Sequence, residues 1–136
     1  MSKQQGWLIV ADRKNMEKCS ELGVYGLNNY CHMRNMRIGD PIIAYIKGEK
    51  TFSGFGAITK EYYVDDTHLF EGGLFHNRIG IKLLLIDEKK AVPFSNFKES
   101  LSFLQSKYWS ATIVSGIRPI KFDEYTTIAK VLGSRH

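Results

Sequence analysis

Apolar positions along the chain come in two rhythms, short unbroken runs and stripes spaced three to four apart, and their succession predicts the elements. The run GWLIVA (6–11) reads as a first strand. Asp12 is a good N-cap for a helix over 13–22, with Met16, Cys19 and Leu22 on one face and Gly23 as its stop. VYGLNNY (24–30) suits neither a strand nor a helix interior, because Asn and Gly favour turns while its tyrosines want apolar cover. Asn28 can cap a second short helix reaching about Arg37, ended by the turn at 38–40. PIIAYIK (41–47) and TFSGFGAIT (51–59) predict two strands joined as a hairpin, followed by a loop-rich stretch over 61–77. RIGIKLLLI (78–86) first alternates and then runs continuously apolar, which predicts a strand whose second half is buried on both faces. Ser95 or Asn96 starts a helix that presents Phe97, Leu101 and Leu104 to a core, and YWSATIV (108–114) reads as another strand. Asp123 caps a last helix, with Ile128, Val131 and Leu132 inward and Gly133 at its end. The order β-α-α-β-β-β-α-β-α implies an α+β fold built on a small, mostly antiparallel β-barrel flanked by helices, and argues against a Rossmann arrangement.

Composition narrows this to one domain spanning 1–136, since the chain has 136 residues. Hydrophobic content of 43% with 24% charged residues excludes a disordered chain. No apolar run approaches the ~20 residues that span a bilayer, and MSKQQG lacks a signal-peptide core, so no membrane partner and a cytoplasmic location are expected. Cys19 and Cys31 are the two cysteines and form no C-x-x-C pair, so buried thiols are expected rather than a disulfide or a zinc site. Net charge is +5, with the excess toward the two ends of the chain and no block of like charge, which permits a nucleic-acid partner through phosphate contacts.

Catalytic signals are thin. No H-E-x-x-H, G-x-S-x-G or P-loop is present, and the histidines are scattered. Gly54-Phe55-Gly56 sits inside a predicted strand and reads as a place where a bulge or another backbone comes close. What stands out is the number of aromatics in loop-like stretches, among them Tyr25, Tyr30, Tyr62, Tyr63, Phe70, Phe75, Tyr108 and Trp109. In a basic protein such faces can stack a nucleobase, or each can simply close a corner of the barrel. Arg34 and Arg37, before the Gly39-Asp40 turn, and Arg118, after Ser115-Gly116, are candidates for phosphate contacts.

Tyr25-Gly26-Leu27, Asn29-Tyr30 and the run Met33-Arg34-Asn35-Met36-Arg37-Ile38-Gly39-Asp40 resemble the motifs of the EVE domain family in the PUA-like superfamily, related to the YTH domains. Ile42 to Tyr45, Phe52-x-Gly54-Phe55, Tyr63-x-Asp65, Leu101-Ser102-Phe103-Leu104 and Trp109-Ser110 extend the likeness from Trp7 to Leu132. Two departures stand out. Tyr25 replaces the family's pocket Trp, and Val10-Ala11-Asp12-Arg13 replaces the Lys-Ser-Glu-Pro of bacterial members.

The resemblance implies a non-enzymatic module that holds a modified, methylated nucleobase of DNA or RNA in an aromatic cage without a cofactor or metal. Tyr25 would be one wall, the Gly26 amide could approach the base, and Asp12 would accept from its edge or serve only as a helix cap. Phe70 and Phe75 are the candidates for a second wall, and the motif matches add Leu27, Asn29, Tyr30, Trp109 and Ser110 to the ligand-binding set. VYGLNNY would then be both a fixed turn and a pocket wall. Rival readings are an RNA-binding module indifferent to modification, an enzyme acting on a nucleoside-like ligand in the same cavity, and an interaction protein with a vestigial pocket.

Overall fold

The computed structural model describes residues 5–28, 32–69, 73, 75–97 and 116–135. Strand β1 (Gln5–Ala11) leads into helix α1 (Arg13–Leu22), and β2 (Val24–Leu27) follows directly. Strands β3 (Pro41–Ile46), β4 (Thr51–Val64) and β5 (Asn77–Leu85) form the middle, then β6 (Val92–Pro93), β7 (Ile117–Lys121) and helix α2 (Phe122–Arg135). These seven strands make one sheet in the order β2-β5-β4-β3-β1-β7, with β6 paired to β4. β1 and β3 run parallel, and the other pairs are antiparallel.

The α+β class agrees with the sequence reading, but the barrel does not close: no strand ladder joins β2 to β1 or β7 among the described residues. The sheet nevertheless curls. The Tyr25 hydroxyl on β2 lies 2.7 Å from the carbonyl oxygens of both Val10 on β1 and Gly116 beside β7. Both faces of the central strands are apolar because both are covered. Trp7, Ile9, Ile42, Ala44 and Ile46 join Met16 and Cys19 of α1, while Leu8, Val10, Ile43 and Tyr45 join Ile128 and Leu132 of α2.

Several local expectations change. VYGL is a strand, because β5 supplies the ladder that its sequence does not advertise. The start of the helix expected after Asn28 lies outside the described residues, and among the described ones a 3-10 turn covers Met33–Asn35. β4 continues to Val64, well past its predicted end. On β5 the burial runs opposite to expectation: 77–81 are buried throughout, whereas Leu84 in the apolar half is 39% exposed. Helix α2 begins at Phe122, so Asp123 lies in its first turn, and Gly133 sits inside it. A 3-10 turn covers Phe94–Phe97, and the rest of the 95–104 helix and the 108–114 strand lie outside the described residues. The Gly54-Phe55-Gly56 reading holds, since an added Cβ would stand 2.9 Å from the Leu84 oxygen at Gly54 and 1.8 Å from the Lys82 oxygen at Gly56.

Candidate functional site

A pocket of about 120 Å³ opens at the seam where β2 faces β1 without a ladder. Val10, Ala11 and Gly116 line one side, and Tyr25, Gly26 and Leu27 the other. Asp12, Asn15 and Cys19 of the α1 region, Lys47 after β3, and Phe75 before β5 complete it. Five residues singled out in the sequence (Asp12, Tyr25, Gly26, Leu27 and Phe75) therefore converge. Asn29, Tyr30, Phe70, Trp109 and Ser110 lie outside the described residues.

The convergence has local causes. The Asp12 carboxylate accepts from the Asn15 backbone N–H at 2.8 Å, which starts α1 and fixes the carboxylate at the pocket edge. Gly23, at φ +70°, stops the helix and turns the chain straight into β2. The next residue but one, Tyr25, is 1% exposed, so it is a core residue as well as a lining residue. Its single hydroxyl proton serves one of the two carbonyls at a time, while the oxygen accepts from Val10 N–H at 3.2 Å. The Lys47 backbone N–H donates to the Ala11 oxygen at 3.1 Å, which sets Lys47 beside the start of α1. Arg13 grips the same region from outside, with two bonds to Glu49 (2.7 and 3.0 Å), one to Ser53 and one to the Ile86 oxygen. The hydrogen bond from Arg13 holds the Glu49 carboxyl below the ordinary carboxylate range.

Burial pushes the Cys19 thiol up to about 12, although a hydrogen bond from the Gly26 backbone pulls the other way. Cys19 is thus protonated near neutrality and inert as a nucleophile. No group of three or more His, Cys, Asp or Glu side chains that could hold a metal occurs among the described residues.

Phe75 is the unusual wall. Its backbone is left-handed, at φ +49°, a conformation that costs a non-glycine residue about 1–3 kcal/mol. Its N–H donates to the Asn28 side-chain oxygen at 3.2 Å, and its carbonyl accepts from Arg78 Nε at 3.1 Å. Asn77 donates to the Asn28 carbonyl at 3.0 Å and accepts from the Tyr62 hydroxyl at 2.6 Å. Asn28 therefore fixes a turn by gripping the opposite loop. The Phe75 ring packs over Gly73, where an added Cβ would lie 3.3 Å away.

The three arginines fall elsewhere. Arg34 is exposed, with its guanidinium 5.8 Å over the Tyr62 ring. Arg37 is exposed and donates to the Arg34 carbonyl, and Arg118 is half-buried on β7 opposite Leu8. None is among the residues that line the pocket; among the described residues the cation there is Lys47. A lone lysine entering a hairpin turn reads as solvated, so nothing in the sequence marked it or Asn15 for the site, while Val10 and Ala11 stood out only as a departure from the family's motif.

The EVE domain model matches residues 5–131. The chain belongs to the EVE domain family. This EVE domain shares its fold with a protein from Agrobacterium tumefaciens, at TM-score 0.67 and 23% identity over 95% of this chain and 93% of that one. A hypothetical protein from Leishmania major is similar at TM-score 0.70 and 16% identity, covering 97% and 96% of the two chains. The YTH domain of Mmi1, solved in complex with RNA, is similar at TM-score 0.70 and 7% identity, covering 97% of this EVE domain and 79% of that chain. No curated protein matches the chain. The family's Gly-Asp motif has a clear structural use here. Gly39 takes φ +92°, and Asp40 accepts at 2.9 Å from both the Trp7 indole and the Arg37 backbone, tying the turn to β1.

Proposed function

We propose that this EVE domain is a non-enzymatic nucleic-acid-binding module that takes one nucleobase, carrying a small modification such as a methyl group, into the seam pocket. The observation that supports this most directly is the pocket's size and lining. A volume of about 120 Å³ is below the ~300–1,000 Å³ of drug-sized sites. One small ring can enter, while sugar and phosphate stay at the mouth beside exposed Lys47. Phe75 offers an apolar wall, on which a buried methyl gains about 0.8 kcal/mol. Asp12, exposed at the pocket edge, offers an acceptor beside its bond to Asn15, and a net hydrogen bond there is worth about 0.5–1.5 kcal/mol, which favours a base edge that donates. The net charge of +5 favours a phosphate-bearing partner in DNA or RNA.

The test is titration of plain and singly modified nucleosides and short oligonucleotides, with Asp12→Ala and Asp12→Asn alongside. A reader binds the modified form more tightly, loses that preference in Asp12→Ala, and keeps part of it in Asp12→Asn, whose amide oxygen still accepts and still caps α1. Equal affinity for modified and plain strands would make this a general binder. Turnover of a nucleoside would make it an enzyme.

A further inference from the structure

We propose that Arg78 is the positioning residue of the pocket, the group that holds Phe75 in its left-handed conformation and so sets one wall before a ligand arrives. Only the binding arm of the argument rests on the nucleobase reading; the conformational arm stands alone. Arg78 is 0% exposed, and a fully buried guanidinium in a small domain needs several fixed acceptors. It finds them in the segment that precedes it. Nε donates to the Phe75 carbonyl, Nη2 donates to the Thr67 carbonyl, and Nη1 lies 3.7 Å from the Asp65 carboxylate. Asp65 is itself fixed, accepting from the Thr67 N–H at 2.9 Å and the Thr67 hydroxyl at 2.8 Å. Nε and Nη2 thus tie residues 75 and 67 by hydrogen bonds, and Nη1 faces Asp65 at ion-pair distance only. This geometry suits a planar guanidinium and not a lysine, whose ammonium is a point charge.

Strand pairing explains why the guanidinium constrains Phe75. Arg78 stands opposite Gly26 of β2 and Tyr63 of β4, so its backbone is fixed by two ladders. The Phe75 carbonyl is drawn to the guanidinium at one end of the residue, and its N–H is drawn to Asn28 at the other. A residue clamped on both sides takes the backbone conformation the clamps dictate, even one that phenylalanine disfavours. The result is a pre-set wall, so the ligand does not have to order that wall on binding.

The conformational arm compares Phe75→Gly with Phe75→Ala, both of which lack the ring. At ordinary backbone angles alanine is the more stable of the two, and at positive φ glycine is. With Arg78 present, Phe75→Gly should therefore melt higher than Phe75→Ala. The comparison is repeated in Arg78→Met, and in Arg78→Lys should the first fail to fold. There the order should reverse. A purely structural Arg78 lowers both melting temperatures together and keeps their order, which would overturn the proposal.

The binding arm uses a fluorescent single-stranded RNA of mixed sequence, plain and singly methylated. Arg78→Lys should weaken the preferred form about tenfold, the scale of one strained residue's conformational energy. In Phe75→Ala, adding Arg78→Lys should weaken it no further. Full affinity in Arg78→Lys despite a reversed order would overturn the positioning role. Absence of binding by the wild-type chain would sink the nucleobase reading instead, with the melting order still deciding what Arg78 does.

Discussion

Tyr25 belongs to the core and the pocket at once, and its substitutions should show both roles. Tyr25→Ala should lose about 3–5 kcal/mol of stability, as large-to-small changes in a core do. Tyr25→Phe keeps the ring and loses the hydroxyl's bonds, but Val10 N–H still donates to the Gly116 oxygen at 2.9 Å, so the cost should be smaller, about 1 kcal/mol; denaturant melts measure both. A second residue-scale expectation concerns acid. Arg13 depresses the Glu49 carboxyl in the folded state, so the unfolded chain holds that proton more tightly. The stabilisation is whole above the unfolded value near 4.3 and disappears as pH falls through the lower folded value. Glu49→Gln should therefore melt lower than wild type at neutral pH and lose less of its stability on acidification, as urea melts along a pH series would show. Asp12 and Phe75 could be picked out of the sequence because a cap before a helix and an aromatic in a loop are local signals. Lys47, Cys19 and Gly116 could not, because only the curl of the sheet brings them to one place.

At the scale of elements, the contacts between strands decide the outcome. Gly56→Ala puts a Cβ 1.8 Å from the Lys82 oxygen, so β4 and β5 cannot keep their register. It should destabilise more than Gly54→Ala, whose Cβ meets the Leu84 oxygen at 2.9 Å, and melting temperatures rank the two. Strand pairing also explains which elements could be read from the chain. β1, β3, α1 and its glycine stop carry their own periodicity and caps, and they were legible. β2 is a strand only because β5 lies beside it, and a Gly between Tyr and Leu gives no hint of that. The tail of β4 was hidden likewise: Lys60 to Val64 looks like an exit loop until β5 pairs with Lys60, Tyr63 and Val64 around an irregularity at Glu61 and Tyr62.

For the molecule as a whole, charge and closure matter most. If Arg34, Arg37 and Arg118 meet phosphates, each neutralisation should weaken plain and modified strands alike and flatten the salt dependence of log K by about one. Lys47→Ala should act on the same slope from the pocket mouth, and titration at several salt concentrations separates the four. The fold class was legible because the number and order of apolar runs suffices for it; the open seam was not, because closure depends on how far a sheet curls. That seam has a further consequence. Its two lips are held apart, and held together, by the length of one phenol, so position 25 works as a calliper on the thickness of whatever slides between them. A tryptophan there, as in the family's motif, carries an N–H that can donate to a carbonyl but cannot accept from Val10. Exchanging the two side chains would reset the gap and change one lining group of the pocket in the same stroke.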